Sequence, residues 1–227
     1  MNPTRRLRLT AALLCFASLA TASASYIWGP PASHTGAPAV GGKQAESVCG
    51  ECHLLLDENN EPRPNVNLPG GRVELLDVPA LYVDGQTYSL RVRLSCDSTR
   101  VYPNRTWGFQ LTAVRAADGE GAGQFDVQGR NDVQAIDSFE PGLESRTYIE
   151  HREPGVHTGE PSPVEWTVDW RAPASDVGKI YFFAAGNAAN GADDTAGDYI
   201  FTTSDSTLDA VVAVRRTTWA ALKLRYR

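Results

Sequence analysis

The segment Cys49-Gly50-Glu51-Cys52-His53 has the residue types and the spacing that attach a haem covalently to a polypeptide. Two cysteines three positions apart can form thioethers with the two vinyl groups of a haem, and the histidine that follows can bind the iron. The pattern therefore predicts one covalent haem c on Cys49 and Cys52, with His53 as the proximal iron ligand.

Other interpretations of the two cysteines are weaker. A redox-active disulfide of the thioredoxin type belongs to a βαβ pattern, which this sequence lacks. A zinc site needs a second pair of ligands, and no second CxxC or HxxxH occurs in the chain. A Cys49–Cys52 bridge, or two free thiols, is the alternative that stays open.

The second axial position of the iron has several candidates. Met1 is the only methionine and leaves with the predicted signal peptide, so methionine ligation is excluded. His151 is favoured because it ends a predicted strand that would hold it rigidly. His34, His157 and an open site remain alternatives, and a lone histidine is often only a hydrogen-bonded structural residue. Ligation by two histidines predicts a low reduction potential.

Residues 1–24 have the features of a secretory signal. Arg5, Arg6 and Arg8 precede an apolar run over residues 9–20, and Ala22-Ser23-Ala24 forms a cleavage site of small residues. The sequence therefore predicts an exported protein that is periplasmic, extracellular or attached to the cell surface.

The charge of the mature chain restricts its partners. Removing the three signal arginines from 21 basic residues leaves 18 against 27 acidic residues, a net charge of −9. This acidity argues against nucleic-acid binding and suits a basic redox partner protein. The basic C-terminal segment, residues 207–227, is the only candidate for contact with a membrane surface, as an amphipathic helix. A final strand with a solvated tail is the favoured alternative for this segment.

The rest of the chain divides into an arm and a β-domain. Residues 25–71 are rich in glycine and proline and predict an irregular arm, with a short helical turn between Gln44 and Leu56. Residues 72–206 contain runs of period two, such as Tyr88–Leu94, Trp107–Ala113 and Val164–Trp170. Short strands of this kind without intervening helices predict an all-β protein, an immunoglobulin-like antiparallel β-sandwich.

Each of these runs predicts one buried face and one face in water. Gln110 and Thr112 fall on the wet face, and Glu150, Asp169 and Asp198 are interpreted as solvated carboxylates. Cys96 shares its parity with Leu94 and is predicted to be a buried free thiol of the core. The loop 186–198 has a weaker interpretation as a calcium site through Asp193, Asp194 and Asp198.

The sequence resembles the bacterial choice-of-anchor V domain, which is similar to the animal reeler domain. The resemblance extends over residues 34–204 and rests on the strings TGAP, CxxCH, WGFQLTA, YIEH, WTVxWxAP, AAGNAANG, GDYI and TTS. It implies an exported immunoglobulin-like sandwich, often tethered to the surface, and His151 falls within its YIEH string. We expect an exported monohaem protein that passes single electrons rather than an enzyme. A non-redox cell-surface binding or adhesion module is the alternative, and a haem enzyme or gas sensor with an open sixth site is a third hypothesis.

Overall fold

A computed structural model describes residues 27–97, 104–192 and 194–210 of the protein. The predicted signal peptide, Asp193 and residues 211–227 of the basic segment lie outside the described residues. Within the described part, no helix is long and apolar enough to span a membrane.

The described residues form two packed sheets and a small hairpin. The strands are β1 (Leu55–Leu56), β2 (Pro62–Arg63), β3 (Gly71–Leu76), β4 (Leu81–Tyr82), β5 (Thr87–Cys96), β6 (Thr106–Arg115), β7 (Gln124–Asp126), β8 (Val133–Asp137), β9 (Thr147–His151), β10 (Val164–Arg171), β11 (Ile180–Ala189) and β12 (Tyr199–Asp209). Neighbouring strands are antiparallel, except that β12 pairs with β4 in parallel. One sheet has six strands in the order β4-β12-β11-β6-β9-β8, the other has four in the order β3-β5-β10-β7, and β1 and β2 form the hairpin.

This architecture confirms the predicted all-β sandwich. Apart from Ala210, the last described residue, the helical structure among the described residues is limited to two single 3-10 turns, Cys49–Glu51 and Glu153–Gly155. The predicted helical turn between residues 44 and 56 is therefore no longer than three residues. The basic segment predicted from residue 207 begins inside β12, which continues to Asp209.

The core lies between the two sheets. The apolar side chains at every second position of the strands fill it. Trp166 packs against Phe109 with ring centroids 4.7 Å apart, and Trp170 meets Phe182 edge to face at 4.9 Å. Each pair joins the four-stranded sheet to the six-stranded sheet. Cys96 belongs to the same core and is 3% exposed, which confirms that it is a buried free thiol.

The arm covers the outer face of the six-stranded sheet as a third layer. The backbone N–H of His34 donates to Gln110 Oε1 at 2.7 Å, and Gln110 Nε2 donates to the carbonyl of Pro31 at 2.9 Å. Gln110 and Thr112 are fully buried as a result. The prediction of a wet face on β6 is therefore wrong, because period two does not reveal whether a further segment covers the second face.

Two of the three carboxylates predicted to be solvated are buried for the same reason. Glu150 and Asp198 are each 1% exposed, whereas Asp169 is only half-buried and accepts a hydrogen bond from Ser89 on the open face of the other sheet. The arm thus turns polar positions of the outer face into interior positions.

A buried ion pair fastens the arm to the sandwich. Arg146 Nη1 lies 2.6 Å from Glu46 Oε1, and both side chains are 0% exposed. Tyr148 also donates to Glu46 Oε1 at 2.6 Å, and Thr35 donates to Glu46 Oε2 at 2.5 Å. Because a buried charge is costly without its partner, this cluster fixes where the arm lies, and with it the segment that carries the CxxCH motif.

Candidate functional site

A pocket lies at the end of the six-stranded sheet where β6 begins and where β9 and β11 end. Its volume is about 70 Å³, and it opens to solvent. Three of the four residues predicted from the sequence line it, namely Cys49, His53 and His151. The other lining side chains include Trp107, Phe109, Val156, Asn187 and Asp198, so the pocket has an aromatic and apolar wall beside a polar one.

The CxxCH motif forms a tight turn against this pocket. The backbone N–H of Cys52 and that of His53 both donate to the carbonyl of Cys49, at 3.3 and 3.0 Å. Gly50 lets the turn approach the neighbouring chain closely, since a Cβ at this position would lie 2.9 Å from Val66 Cγ2. The turn presents both cysteines and the histidine within one short segment.

The two cysteines of the motif have different surroundings. Cys49 is buried beside Val48, Val66, Ala185 and Ile200, and its thiol donates to the carbonyl of His34 at 3.7 Å. Burial raises the pKa of the Cys49 thiol to about 12. A thiol with so high a pKa is a poor nucleophile at neutral pH. Cys52 is exposed, and both cysteines are free thiols in this structure.

His53 is held through its Nδ1 atom. Nδ1 lies 2.5 Å from Oδ2 of the buried Asp198, and Asp198 Oδ1 accepts a hydrogen bond from the backbone N–H of Asn190 at 2.9 Å. We assign the proton of the ring to Nδ1, because an ionised carboxylate can only accept a hydrogen bond. The nitrogen of His53 that remains for a ligand is therefore Nε2.

Two asparagines complete the surroundings of His53. Asn65 Nδ2 donates to the backbone carbonyl of His53 at 2.6 Å and to that of Asp198 at 3.2 Å. The amide of Asn187 lies 3.1 Å from His53 Nδ1. Asn187 thus connects His53 to β11, and Asn65 connects it to Asp198 in the segment before β12. Both contacts join parts of the chain that are more than a hundred residues apart.

His151 lies at the end of β9 and is 8% exposed. Its Nδ1 is 3.1 Å from the backbone nitrogen of Phe109 and 3.2 Å from the carbonyl oxygen of the same residue. The strand pairing between β6 and β9 begins at Gln110 and Glu150, the residues next to Phe109 and His151. The ring lies over Gly108, where a Cβ would come within 2.6 Å of His151 Cε1.

The other two candidate histidines lie elsewhere. His34 Nδ1 is 3.0 and 2.9 Å from the carbonyls of Pro31 and Ala32, within the arm. His157 contacts Glu160 and the edge of Trp166. Neither histidine lines the pocket that contains Cys49 and His53.

The predicted calcium loop does not bring its carboxylates together. Asp198 is directed to His53, while Asp194 Oδ1 accepts a hydrogen bond from the backbone of Ala196, and Asp193 lies outside the described residues. Within the described parts of the chain, no group of three or more His, Cys, Asp or Glu side chains is arranged to hold a metal ion.

Glu150 is a second buried carboxylate, next to His151 in sequence. Its two oxygens accept hydrogen bonds from Gln134 Nε2 and Gln110 Nε2, each at 2.8 Å. Burial raises the pKa of Glu150 to about 7 in spite of these two donors.

Sequence reasoning missed the supporting residues of the site. Asn65 was not singled out, and Asp198 was interpreted as solvated or as a calcium ligand. The strings AAGNAANG and GDYI contain Asn187 and Asp198, so the resemblance held a signal for these two positions. Asn65 had no such signal.

Neither a protein-family model nor a curated protein matches this chain. Among solved structures, the chain is similar to the human F-spondin reeler domain, at 18% identity over 62% of this chain and 89% of that one, with a TM-score of 0.37. It is also similar to a cohesin module from a Clostridium perfringens family 33 glycoside hydrolase, at 8% identity over 62% of this chain and 96% of that one, with a TM-score of 0.35. Similarities at this level support no conclusion about function.

Proposed function

We propose that the protein is an exported monohaem c-type cytochrome, with haem attached to Cys49 and Cys52 and bound by His53, and that it passes single electrons to a redox partner protein. The observation that carries the proposal is the state of His53. Its Nδ1 is bound to the buried Asp198, which leaves Nε2 as the ligand nitrogen, in a pocket that Cys49 and His151 also line.

The residues present fit such a group. Iron-binding histidines commonly donate their other ring N–H to a carboxylate or carbonyl, which fixes the tautomer and the ring orientation. Trp107, Phe109 and Val156 supply apolar wall on the sandwich side of the pocket. Cys49 lines the pocket, and Cys52, three positions further along the same turn, is exposed.

His151 is the residue that we propose for the second axial position. It lines the pocket with His53, whereas His34 and His157 do not. The backbone nitrogen and the carbonyl oxygen of Phe109 lie 3.1 and 3.2 Å from its Nδ1 atom and hold the ring at the pocket. Haem iron with two histidine ligands supplies a one-electron couple of low reduction potential.

In this cytochrome, each residue around the pocket has a separate role. Asp198 and Asn65 hold His53 and its backbone, the backbone of Phe109 holds His151, and the aromatic wall keeps water from one side of the pocket. Haem is attached to CxxCH motifs outside the cytoplasm, so the proposal requires export. The predicted signal at residues 1–24 supports export. The resemblance to the choice-of-anchor V domain agrees with an exported protein.

A non-redox binding module is the second candidate function. The observation that favours it is the packing of Cys49, whose side chain fills an apolar cluster and whose thiol has a hydrogen-bond acceptor without any cofactor. A sandwich of this kind would bind a protein or glycan at the cell surface and would use the CxxCH turn only as structure.

The test is to express the full chain, with residues 1–24, in a bacterium that has a c-type haem maturation system. We expect a red protein whose mass exceeds that of the polypeptide by one haem and that gives a pyridine haemochrome spectrum of c type. The Cys49→Ala/Cys52→Ala variant is the control and should be colourless.

A colourless wild-type protein with the mass of the bare polypeptide would overturn the cytochrome proposal and leave the binding module. For the second ligand, the reduced wild-type protein should not bind carbon monoxide, whereas the His151→Ala variant should. Rapid binding of carbon monoxide by the wild type would instead indicate an open sixth site.

A further inference from the structure

Asp198 has an unusual environment for a carboxylate. It is 1% exposed, and its Oδ2 lies 2.5 Å from His53 Nδ1. Among the described residues, His53 is its only ionisable partner, since no lysine or arginine forms an ion pair with it. Burial of a carboxylate is costly unless it is paired, so the position of Asp198 is explained by the imidazole that it contacts.

Asp198 is held in place independently of His53. Its Oδ1 accepts from the backbone N–H of Asn190, and its own carbonyl accepts from Asn65 Nδ2. Its backbone N–H donates to the carbonyl of Leu54, directly after His53 in the chain. The carboxylate therefore has one available orientation, and the imidazole must adapt to it.

The amide orientation of Asn187 decides whether this side chain accepts from His53 Nδ1. Asn187 Nδ2 lies 3.1 Å from Nδ1, and Asn187 Oδ1 is buried without a hydrogen-bond partner. As placed, the amide suits an unprotonated Nδ1, whereas a half-turn of the amide makes Oδ1 a second acceptor for Nδ1–H and puts Nδ2 in the buried position that Oδ1 now occupies. Nδ1–H then has two acceptors from two different strands or loops.

We propose that Asp198, supported by Asn187 and Asn65, is a positioning residue that fixes the ring of His53 and strengthens Nε2 as an electron donor to haem iron, and so lowers the reduction potential. The inference rests on the proposed function. A hydrogen bond from Nδ1 to a carboxylate increases the negative character of the imidazole. A more basic ligand stabilises the oxidised iron relative to the reduced iron, which shifts the potential downward.

The test compares two variants of the haem-loaded protein that remove the same charge. Asp198→Asn removes the negative charge beside His53 Nδ1 and leaves one acceptor oxygen where Asp198 has two, for the N–H groups of both His53 and Asn190. Asp194→Asn is the matched control, because Asp194 lines the same pocket but is exposed and accepts only from the backbone of Ala196. We expect Asp198→Asn to raise the midpoint potential clearly more than Asp194→Asn and to change the low-spin electron paramagnetic resonance signature. Equal shifts in the two variants would overturn the proposal, because they would reflect charge alone.

Asn187→Ala provides a second variant in case Asp198→Asn fails to accumulate. It removes one of the two acceptors and should raise the potential by less than Asp198→Asn would. An unchanged potential in this variant, with Asp198→Asn unfolded, would overturn the assignment, because the network would then have only a structural role.

The tautomer of His53 separates failure of the cytochrome proposal from failure of the proposed role of Asp198. If the purified protein is colourless, the cytochrome proposal fails, and ¹⁵N chemical shifts of His53 in the same sample report its tautomer. A proton on Nδ1 in the wild type that is lost in Asp198→Asn supports the positioning role, and a proton on Nε2 in the wild type overturns it.

Discussion

The two outer faces of the sandwich begin from the same sequence pattern and reach opposite environments. On the four-stranded sheet, Arg93 on β5 forms an ion pair with Glu165 on β10 at 2.5 Å, and about a third of each side chain is exposed. On the six-stranded sheet, Gln110 on β6 and Glu150 on β9 occupy equivalent outward positions but are buried beneath the arm.

The difference shows what a covering segment does to polar residues. An exposed ion pair exchanges protein contacts for water easily and contributes little to stability. A covered polar group must find its partners within the protein, because an unsatisfied donor or acceptor is costly there. Each covered side chain therefore fixes a segment in one arrangement, and the CxxCH turn is one of the segments fixed in this way.

The largest expected effect comes from breaking the buried pair that fastens the arm. Glu46→Gln leaves the Arg146 charge buried without its counter-charge, and we expect a loss of about 3–5 kcal/mol in the free energy of unfolding. The matched variant on the open face, Glu165→Gln, should cost about 0–1 kcal/mol. Urea denaturation of the two variants measures both, and equal losses would mean that the arm does not cover the sheet in solution.

The next effect is a difference in reactivity between the two cysteines of the motif. The rise in the Cys49 pKa from 9.0 to about 12 lowers its thiolate fraction at neutral pH by about 1000-fold. In chain produced without haem attachment, we expect iodoacetamide to label the exposed Cys52 rapidly and Cys49 extremely slowly, as followed by mass spectrometry. In concentrated urea both should react, and comparable rates in the native chain would contradict the burial of Cys49.

The smallest of the three effects is a pH dependence of stability due to Glu150. Its pKa is raised from 4.5 to about 7 in the folded protein, so the folded state binds more protons than the unfolded state between these values. The free energy of unfolding should therefore fall as pH rises from about 5 to 8, by up to about 3 kcal/mol. Denaturation of the chain without haem at several pH values measures the slope.

Glu150→Gln should flatten this slope. Glu165→Gln should leave it unchanged, because Arg93 lowers the pKa of Glu165 and places its titration at more acidic pH. A slope that persists in Glu150→Gln would assign the pH dependence to other groups.

Most of the sandwich was predictable because its signal is local. The runs around Leu90, Phe109 and Trp166 alternate with period two, and β5, β6 and β10 contain them within a residue or two of the expected bounds. The short strands β1, β2 and β4 have too few residues to show a period. The strand β8 has one buried residue at its start and no alternation of buried and exposed positions after it.

By itself, the sequence determined the elements whose cause lies within a few residues: the period-two strands, the free thiol of Cys96 in the core, and the CxxCH turn with its spacing. Only the tertiary structure decided that the arm covers the six-stranded sheet, that His151 shares a pocket with His53, and that Asp198 holds the imidazole across 145 residues of chain. The physical reason is that alternation records contact with one neighbouring layer. A second layer, and the hydrogen bonds that it imposes on buried polar groups, depends on which distant segments meet.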